Sequence, residues 1–138
     1  AIAVDTAQFS TPGVHIGLFC STPMVALSRN VANKFAMEML LTGDLTTAAR
    51  AAEIGLINRA VATEALRDAT MLMARKIAFK SSMTLATGKS AYYAQREMEL
   101  SDAYVYASGV MVENMLTSDA EEGIGAFIQK RAPKWQDM

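Results

Sequence analysis

Phe9-Ser-Thr-Pro-Gly-Val-His-Ile-Gly-Leu-Phe-Cys-Ser-Thr-Pro-Met-Val-Ala-Leu-Ser-Arg29 is the stretch on which the reading of this 138-residue chain turns. Pro12, Gly13, Gly17 and Pro23 punctuate it, with the apolar Val14, Ile16, Leu18 and Phe19 between them. The pattern reads as one or two short strands within residues 7–19 that feed a tight turn. Thr22-Pro23 reads as a helix start, with a hydroxyl at the N-cap and proline at the first helical position, and the helix runs to about Asn30. Backbone N–H groups at such a turn can hold a polar or anionic group. An ordinary buried connection gives the same pattern, so the stretch alone does not choose between them.

On either side the elements are easier to place. Ala1 to Val4 is a short apolar run and reads as a strand. A helix over Ala32 to Leu41 carries Phe35, Met39 and Leu40 on one side and ends near Gly43, with Gly43-Asp44 as a turn. Thr46 or Thr47 caps a short alanine-rich helix, Ala48 to Ile54, closed by Gly55, and Leu56 to Val61 is a short strand. From Thr63 onward the chain reads as almost wholly helical. Thr63 caps a helix with Leu66, Ala69, Leu72, Met73, Lys76 and Ile77 at helical spacing. Ser81-Ser82 opens another, to about Met98. A third spans Ser101 to Thr117 with Tyr104, Ala107, Met111 and Met115 as a stripe. Ser118-Asp-Ala-Glu121 reads as a capping box for the last helix, which runs through Arg131 and is stopped by Pro133. The division is therefore a mixed part over residues 1–62 and a helical part over 63–138. Ten methionines sit among alanines on these helices and read as core or helix-packing residues.

Composition narrows the classes. Half the residues are apolar and a fifth charged, which is globular. A net charge of −1 gives no basic surface for nucleic acid. The single cysteine, Cys20, excludes an internal disulfide framework and suits a reducing compartment. No apolar run approaches the roughly 18 residues that span a membrane. The chain opens within a strand-like run and without an initiator methionine, which reads as a piece of a longer protein.

The residues that carry chemistry are few. His15 and Cys20 are the sole imidazole and thiol, so a metal cluster is not expected. His15 with Ser21 or Cys20 would be the available nucleophile pair, but no G-x-S-x-G elbow is present. There is no phosphate loop of the G-x-x-x-x-G-K type. Lys130-Arg131-Ala-Pro-Lys134 reads either as a phosphate contact or as a solvated helix end whose cations complement the dipole.

Four segments in order resemble the crotonase superfamily, the enoyl-CoA hydratase/isomerase family. Ala7-Gln8-Phe9 with Thr11-Pro12 and Gly17 resembles its A-x-F-x-x-P-E-x-x-x-G region. Leu41-Thr42-Gly43-Asp44 through Ala48, Ala51, Gly55-Leu56-Ile57 and Val61 resembles its L-T-G…G-L-V block, and Ala36-Met37-Glu38-Met39 the helix before it. Asp119, Glu122-Gly123, Ala126-Phe127, Lys130-Arg131, Pro133 and Trp135 resemble its C-terminal signature.

The resemblance covers the family's second half. It implies an α/β fold, the C-terminal part of a crotonase-type ββα spiral with a mainly helical trimerisation region. It also implies an acyl-CoA or enoyl-CoA substrate, no cofactor beyond the coenzyme A of that substrate, no metal, a homotrimer or hexamer, and a mitochondrial matrix or bacterial cytoplasmic location. Neither nucleic acid nor membrane is implied as a partner.

Carried over residue by residue, Pro12, Gly13, Gly17 and Ser21 would meet the substrate. Phe127 would contact adenine and Lys130 the nucleotide phosphates of a neighbouring subunit's CoA, as an i, i+3 pair on one helix face. The family's hydratases place a glutamate directly after the proline. Gly13 stands there, and glycine carries no proton. His15 would share a strand face with Gly13 and is the one local substitute for an acid or base.

Overall fold

In the computed structural model, which describes residues 1–137, strands are short and helices dominate. β1 (Ile2–Val4) lies parallel to β4 (Arg59–Val61), with Ala3 opposite Ala60. β2 (Gln8–Phe9) lies antiparallel to β3 (Thr46–Thr47), with Phe9 opposite Thr46. Between β2 and β3 run α1 (Ser21–Ser28) and α2 (Asn33–Thr42), between β3 and β4 runs α3 (Ala48–Glu53), and beyond β4 run α4 (Leu66–Ala78), α5 (Ser82–Gln95), α6 (Leu100–Met115) and α7 (Ser118–Ile128). The chain divides into two compact units, Ala1–Met73 and Ala74–Met138. The boundary between the units falls inside α4.

The first unit owes its core to α2 and α3. Ala36, Met39 and Leu40 recur at helical spacing on α2 and are buried against Leu27, Val31 and Ile54. Ala48 and Ala51 on α3 are fully buried against Ile57, where small side chains let the helix lie close to β1 and β4. Phe9 and Leu56 pack on both groups and join them. Thr47 caps α3 by accepting the Arg50 N–H at 3.2 Å, as its position before an alanine run predicts.

Of the one or two short strands expected within residues 7–19, β2 forms, but residues 12–16 are a 3-10 turn and not a strand. α1 begins at Ser21 after Cys20, whose side chain makes no cap, so Pro23 sits at the third helical position. The strand before Val61 is only Arg59–Val61, and Thr63 opens a 3-10 turn before α4 with no side-chain cap.

In the second unit α5 and α6 fold back on one another, and Asn114 Nδ2 donates to Thr84 Oγ1 at 3.5 Å. Ser81 caps α5 through the Thr84 N–H at 3.1 Å. The cap of α7 is Thr117, which accepts the Ala120 N–H at 3.2 Å, one residue before the expected Ser118. The helix then ends at Ile128, short of Arg131.

The expected α6 stripe is also displaced. Tyr104, Ala107, Met111 and Met115 are exposed, and the side turned inward is Ala103, Tyr106, Val110 and Asn114. Among the described residues, the buried hydrophobic side chains of this unit are Ala103 and Ala126. Among the described residues, no helix is long and apolar enough to cross a membrane.

Candidate functional site

The Ser10–Ser21 segment is held to the end of α2 by three side chains. Ser10 Oγ donates to the Gly43 carbonyl at 2.6 Å and Thr11 Oγ1 to the Met39 carbonyl at 2.8 Å. His15 Nε2 lies 2.9 Å from the Thr42 carbonyl. Helix C-termini leave carbonyls without intrahelical partners, and here the neighbouring turn supplies the donors. Gly43 makes the approach possible. It takes the left-handed conformation (φ 68°) that ends α2, and a Cβ on it would lie 2.9 Å from His15 Nε2.

The turn itself closes on Gly13. The Gly13 N–H donates to Cys20 Sγ at 3.3 Å, and its carbonyl accepts the Leu18 N–H at 2.9 Å. A Cβ at residue 13 would stand 2.8 Å from Cys20 Sγ and 2.8 Å from the Leu18 carbonyl oxygen. Glycine is thus required by space, and no side chain, carboxylate-bearing or otherwise, fits without moving backbone.

Gly17 ends the 3-10 turn in the left-handed conformation, with φ 75°. The Ser21 N–H and Oγ both donate to the Phe19 carbonyl, at 2.7 and 3.3 Å. Pro23 has no N–H, so the first turn of α1 offers few donors to a ligand.

The structure brings Pro12, Gly13, Gly17 and Ser21 into one turn but does not put His15 on a strand face with Gly13. In a 3-10 turn successive residues rotate by about a third of a circle, so alternation fails. With His15 engaged by Thr42 and Cys20 by Gly13, neither a Cys–His nor a Ser–His pair forms among the described residues.

A cleft of about 530 Å³ lies beside the turn, lined in part by Phe9, Thr11, Pro23, Leu27 and Leu56. A second of about 400 Å³ lies across α2 and α3, where the Arg50 guanidinium sits 4.7 Å from the centre of the Phe35 ring.

In the second unit the C-terminal signature is a clasp. Asp119, 2% exposed, accepts the Gln136 N–H at 2.7 Å and the Asp137 N–H at 3.2 Å. The Ser81 hydroxyl, followed by these backbone donors, holds its carboxyl below the usual carboxylate range. Glu122 binds both arms of Arg131, at 2.5 and 2.7 Å, and accepts the Lys134 N–H at 2.7 Å. The paired guanidinium, then the Lys134 N–H, lower its pKa to about 2. Gly123 leaves room for the Trp135 ring, whose Nε1 donates to the Phe79 carbonyl at 2.6 Å. Asp137 Oδ1 accepts the Ser82 N–H at 2.6 Å.

Phe127 and Lys130 lie at the edge of this clasp. Phe127 is 84% exposed. Lys130 lies beyond the end of α7 at φ 53°, so the two are not a pair on one helix face. The Lys130 N–H donates to the Phe127 carbonyl at 3.2 Å and the Arg131 N–H to the Ala126 carbonyl at 3.0 Å. This is a Schellman closure, with lysine where glycine is usual. Of the basic run, Arg131 is paired, and Lys130 makes no ion pair among the described residues.

The Glu122–Arg131 pair could not be foreseen from helical spacing, because its two residues are nine apart and close across a helix end. The Gly13–Cys20 contact, seven apart across a turn, carried no pattern either.

Comparison with known proteins places this geometry. The enoyl-CoA hydratase/isomerase family model matches residues 1–138. The chain is 49% identical over 135 residues to rat "enoyl-CoA hydratase domain-containing protein 3, mitochondrial", covering 98% of this chain and 45% of that protein. Crystal structures of a Mycobacterium smegmatis enoyl-CoA hydratase and of human enoyl-CoA hydratase domain-containing protein 3 are each 46% identical. Their TM-scores are 0.93 and 0.91, with 97% of this chain and 52% and 53% of those chains covered. The chain spans about half the length of these relatives.

Proposed function

The chain belongs to the enoyl-CoA hydratase/isomerase family and carries the C-terminal part of the crotonase fold, and on that premise we propose that the protein binds an acyl-CoA thioester without adding water to it through residue 13. The observation that carries this reading is the closure of Gly13 by Cys20 Sγ and the Leu18 carbonyl, each 2.8 Å from where a Cβ would stand. The position that holds a glutamate in the family's hydratases has neither a proton-carrying group nor room for one.

In this proposal Pro12, Gly13, Gly17 and Ser21 form one wall of the thioester cavity. Family members polarise the thioester carbonyl with two backbone N–H groups, which stabilise an enolate-like oxyanion. His15 is the remaining local proton carrier, and it reaches a substrate only by leaving the Thr42 carbonyl. Phe127 and Lys130 hold the adenine and phosphates of the CoA bound to a neighbouring subunit. Their exposure supports that role, as does the lack of an ion pair to Lys130 among the described residues. The exposed Val105, Met111, Val112 and Leu116 on and beside α6 support assembly as a homotrimer or hexamer. Mitochondrial and mycobacterial relatives support a mitochondrial matrix or bacterial cytoplasmic location.

The test uses the complete protein with a short enoyl-CoA, measuring binding by calorimetry and hydration by loss of the enoyl absorbance. Saturable binding with hydration at the uncatalysed rate is expected. Turnover in the range of about 1–10³ per second typical of enzymes would overturn the reading. Exchange of the substrate's α-proton with deuterated water, in the absence of hydration, would point to an isomerase or decarboxylase type of enolate chemistry, served by His15 or by an acid outside this sequence. No exchange would leave a CoA-thioester-binding subunit.

A further inference from the structure

Lys130 holds a backbone conformation that lysine resists, at φ 53°. Such strain persists only where the surroundings over-determine it. Here the surroundings are specific. Arg131, the next residue, is gripped at both arms by Glu122 and also donates from Nε to Gln129 Oε1 at 2.7 Å. The residues on either side of Lys130 are therefore bridged by one guanidinium. Glu122 also accepts the Lys134 N–H at 2.7 Å, which fixes the chain beyond. The Glu122 side chain is 19% exposed and that of Arg131 40%, so water competes only partly for the pair. The Lys130 ammonium makes no ion pair among the described residues.

We propose that Glu122 is a positioning residue, which through Arg131 holds Lys130 in its left-handed turn and so presents the ammonium to the phosphates of coenzyme A. The proposal rests on the reading of Lys130 as a CoA contact given above. It assigns to the Glu-Gly and Lys-Arg parts of the C-terminal signature a single task, the orientation of one cation. Preorganisation of this kind lowers the cost of ordering a flexible side chain when the ligand arrives.

A double-mutant cycle in the complete protein tests it, with the affinity for coenzyme A read by calorimetry. Glu122→Gln is expected to weaken binding about fivefold, the size usual for residues that share one network. In a Lys130→Ala background the same substitution is expected to change binding by less than about twofold. Arg131→Lys, which keeps the charge but cannot form the two-armed pair, is expected to repeat the loss if Glu122→Gln fails to fold.

Equal losses in both backgrounds would mean that Glu122 only stabilises the fold, and would overturn the proposal. If Lys130→Ala weakens binding and Glu122→Gln does not, the positioning role fails and the CoA contact stands. If Lys130→Ala leaves affinity unchanged, both fail.

Discussion

Gly13 and Cys20 exclude one another's growth: the Gly13 N–H donates to the Cys20 sulfur at 3.3 Å, and a methyl group at residue 13 would meet that sulfur at 2.8 Å. Gly13→Ala is expected to destabilise the protein by about 1–3 kcal/mol, the usual cost of overpacking. Cys20→Ala removes one of the two obstacles and leaves the Leu18 carbonyl. The double variant should therefore recover part of the loss and not all of it. Denaturant melts of the single and double variants check this, and full recovery would show that the sulfur alone sets the limit. Gly13→Glu, by the same geometry, should distort the turn without restoring hydration.

His15 ties the turn to the end of α2, with Nε2 2.9 Å from the Thr42 carbonyl. His15→Ala should lower stability by about 0.5–1.5 kcal/mol, the net value of a typical intramolecular hydrogen bond. Gly43→Ala should cost more. It adds the strain of a left-handed non-glycine residue, roughly 1–2 kcal/mol, to a Cβ that would stand 2.9 Å from the imidazole. Thermal melts rank the two variants, and a harmless Gly43→Ala would contradict the close approach.

These contacts also explain what the sequence revealed and what it hid. α2 and α3 were legible because their ends are chemical: Gly43 can be left-handed, Thr47 caps, and Gly55 stops the chain. Residues 12–16 misread as a strand because Val14, Ile16 and Leu18 alternate with polar or small residues. That period reports a half-buried strand only when one face is covered, and here Ile16 and Leu18 are 76% and 63% exposed. The α6 stripe misled for a related reason. Tyr104, Met111 and Met115 share a helical face, but the side turned inward is that of the small, buried Ala103, which a stripe of large apolar residues does not reveal. The motif residues at 12, 13, 17 and 21 were legible through family resemblance. Their local role was not, because a contact such as Gly13 to Cys20 depends on the loop's path.

Acid should expose the clasp. Glu122 falls from the usual 4.5 to about 2 in the folded chain, chiefly through its bonds from Arg131. A lowered folded pKa means that the unfolded chain binds the proton first as pH falls. The stabilisation is therefore complete above about pH 4.5 and is lost as pH drops toward 2. Asp119 is lowered in the same direction by Ser81 and the tail amides, and adds to the acid sensitivity. The difference in melting temperature between wild type and Glu122→Gln should be constant at pH 5–7 and shrink below about pH 4.5. A difference that does not shrink in acid would show that the pair contributes through packing alone.

Lys130 offers the sharpest separation of stability from function. Its backbone sits at φ 53° in a Schellman closure, with its N–H on the Phe127 carbonyl at 3.2 Å. Lysine there costs roughly 1–2 kcal/mol of strain that glycine does not incur. Glycine gives back part of that gain through the greater freedom of its unfolded chain, about 0.5–1 kcal/mol. Lys130→Gly should therefore raise stability by about 0.5–1 kcal/mol, a direction opposite to that of most substitutions. The same variant deletes an ammonium that makes no ion pair among the described residues. If Lys130 contacts CoA phosphates, affinity for coenzyme A should fall while the melting temperature rises. A residue kept for folding cannot give that pair of results, since removing it would lower both. Chemical denaturation and calorimetry on one preparation decide the matter, and a fall in stability would show that the turn is not strained by its lysine.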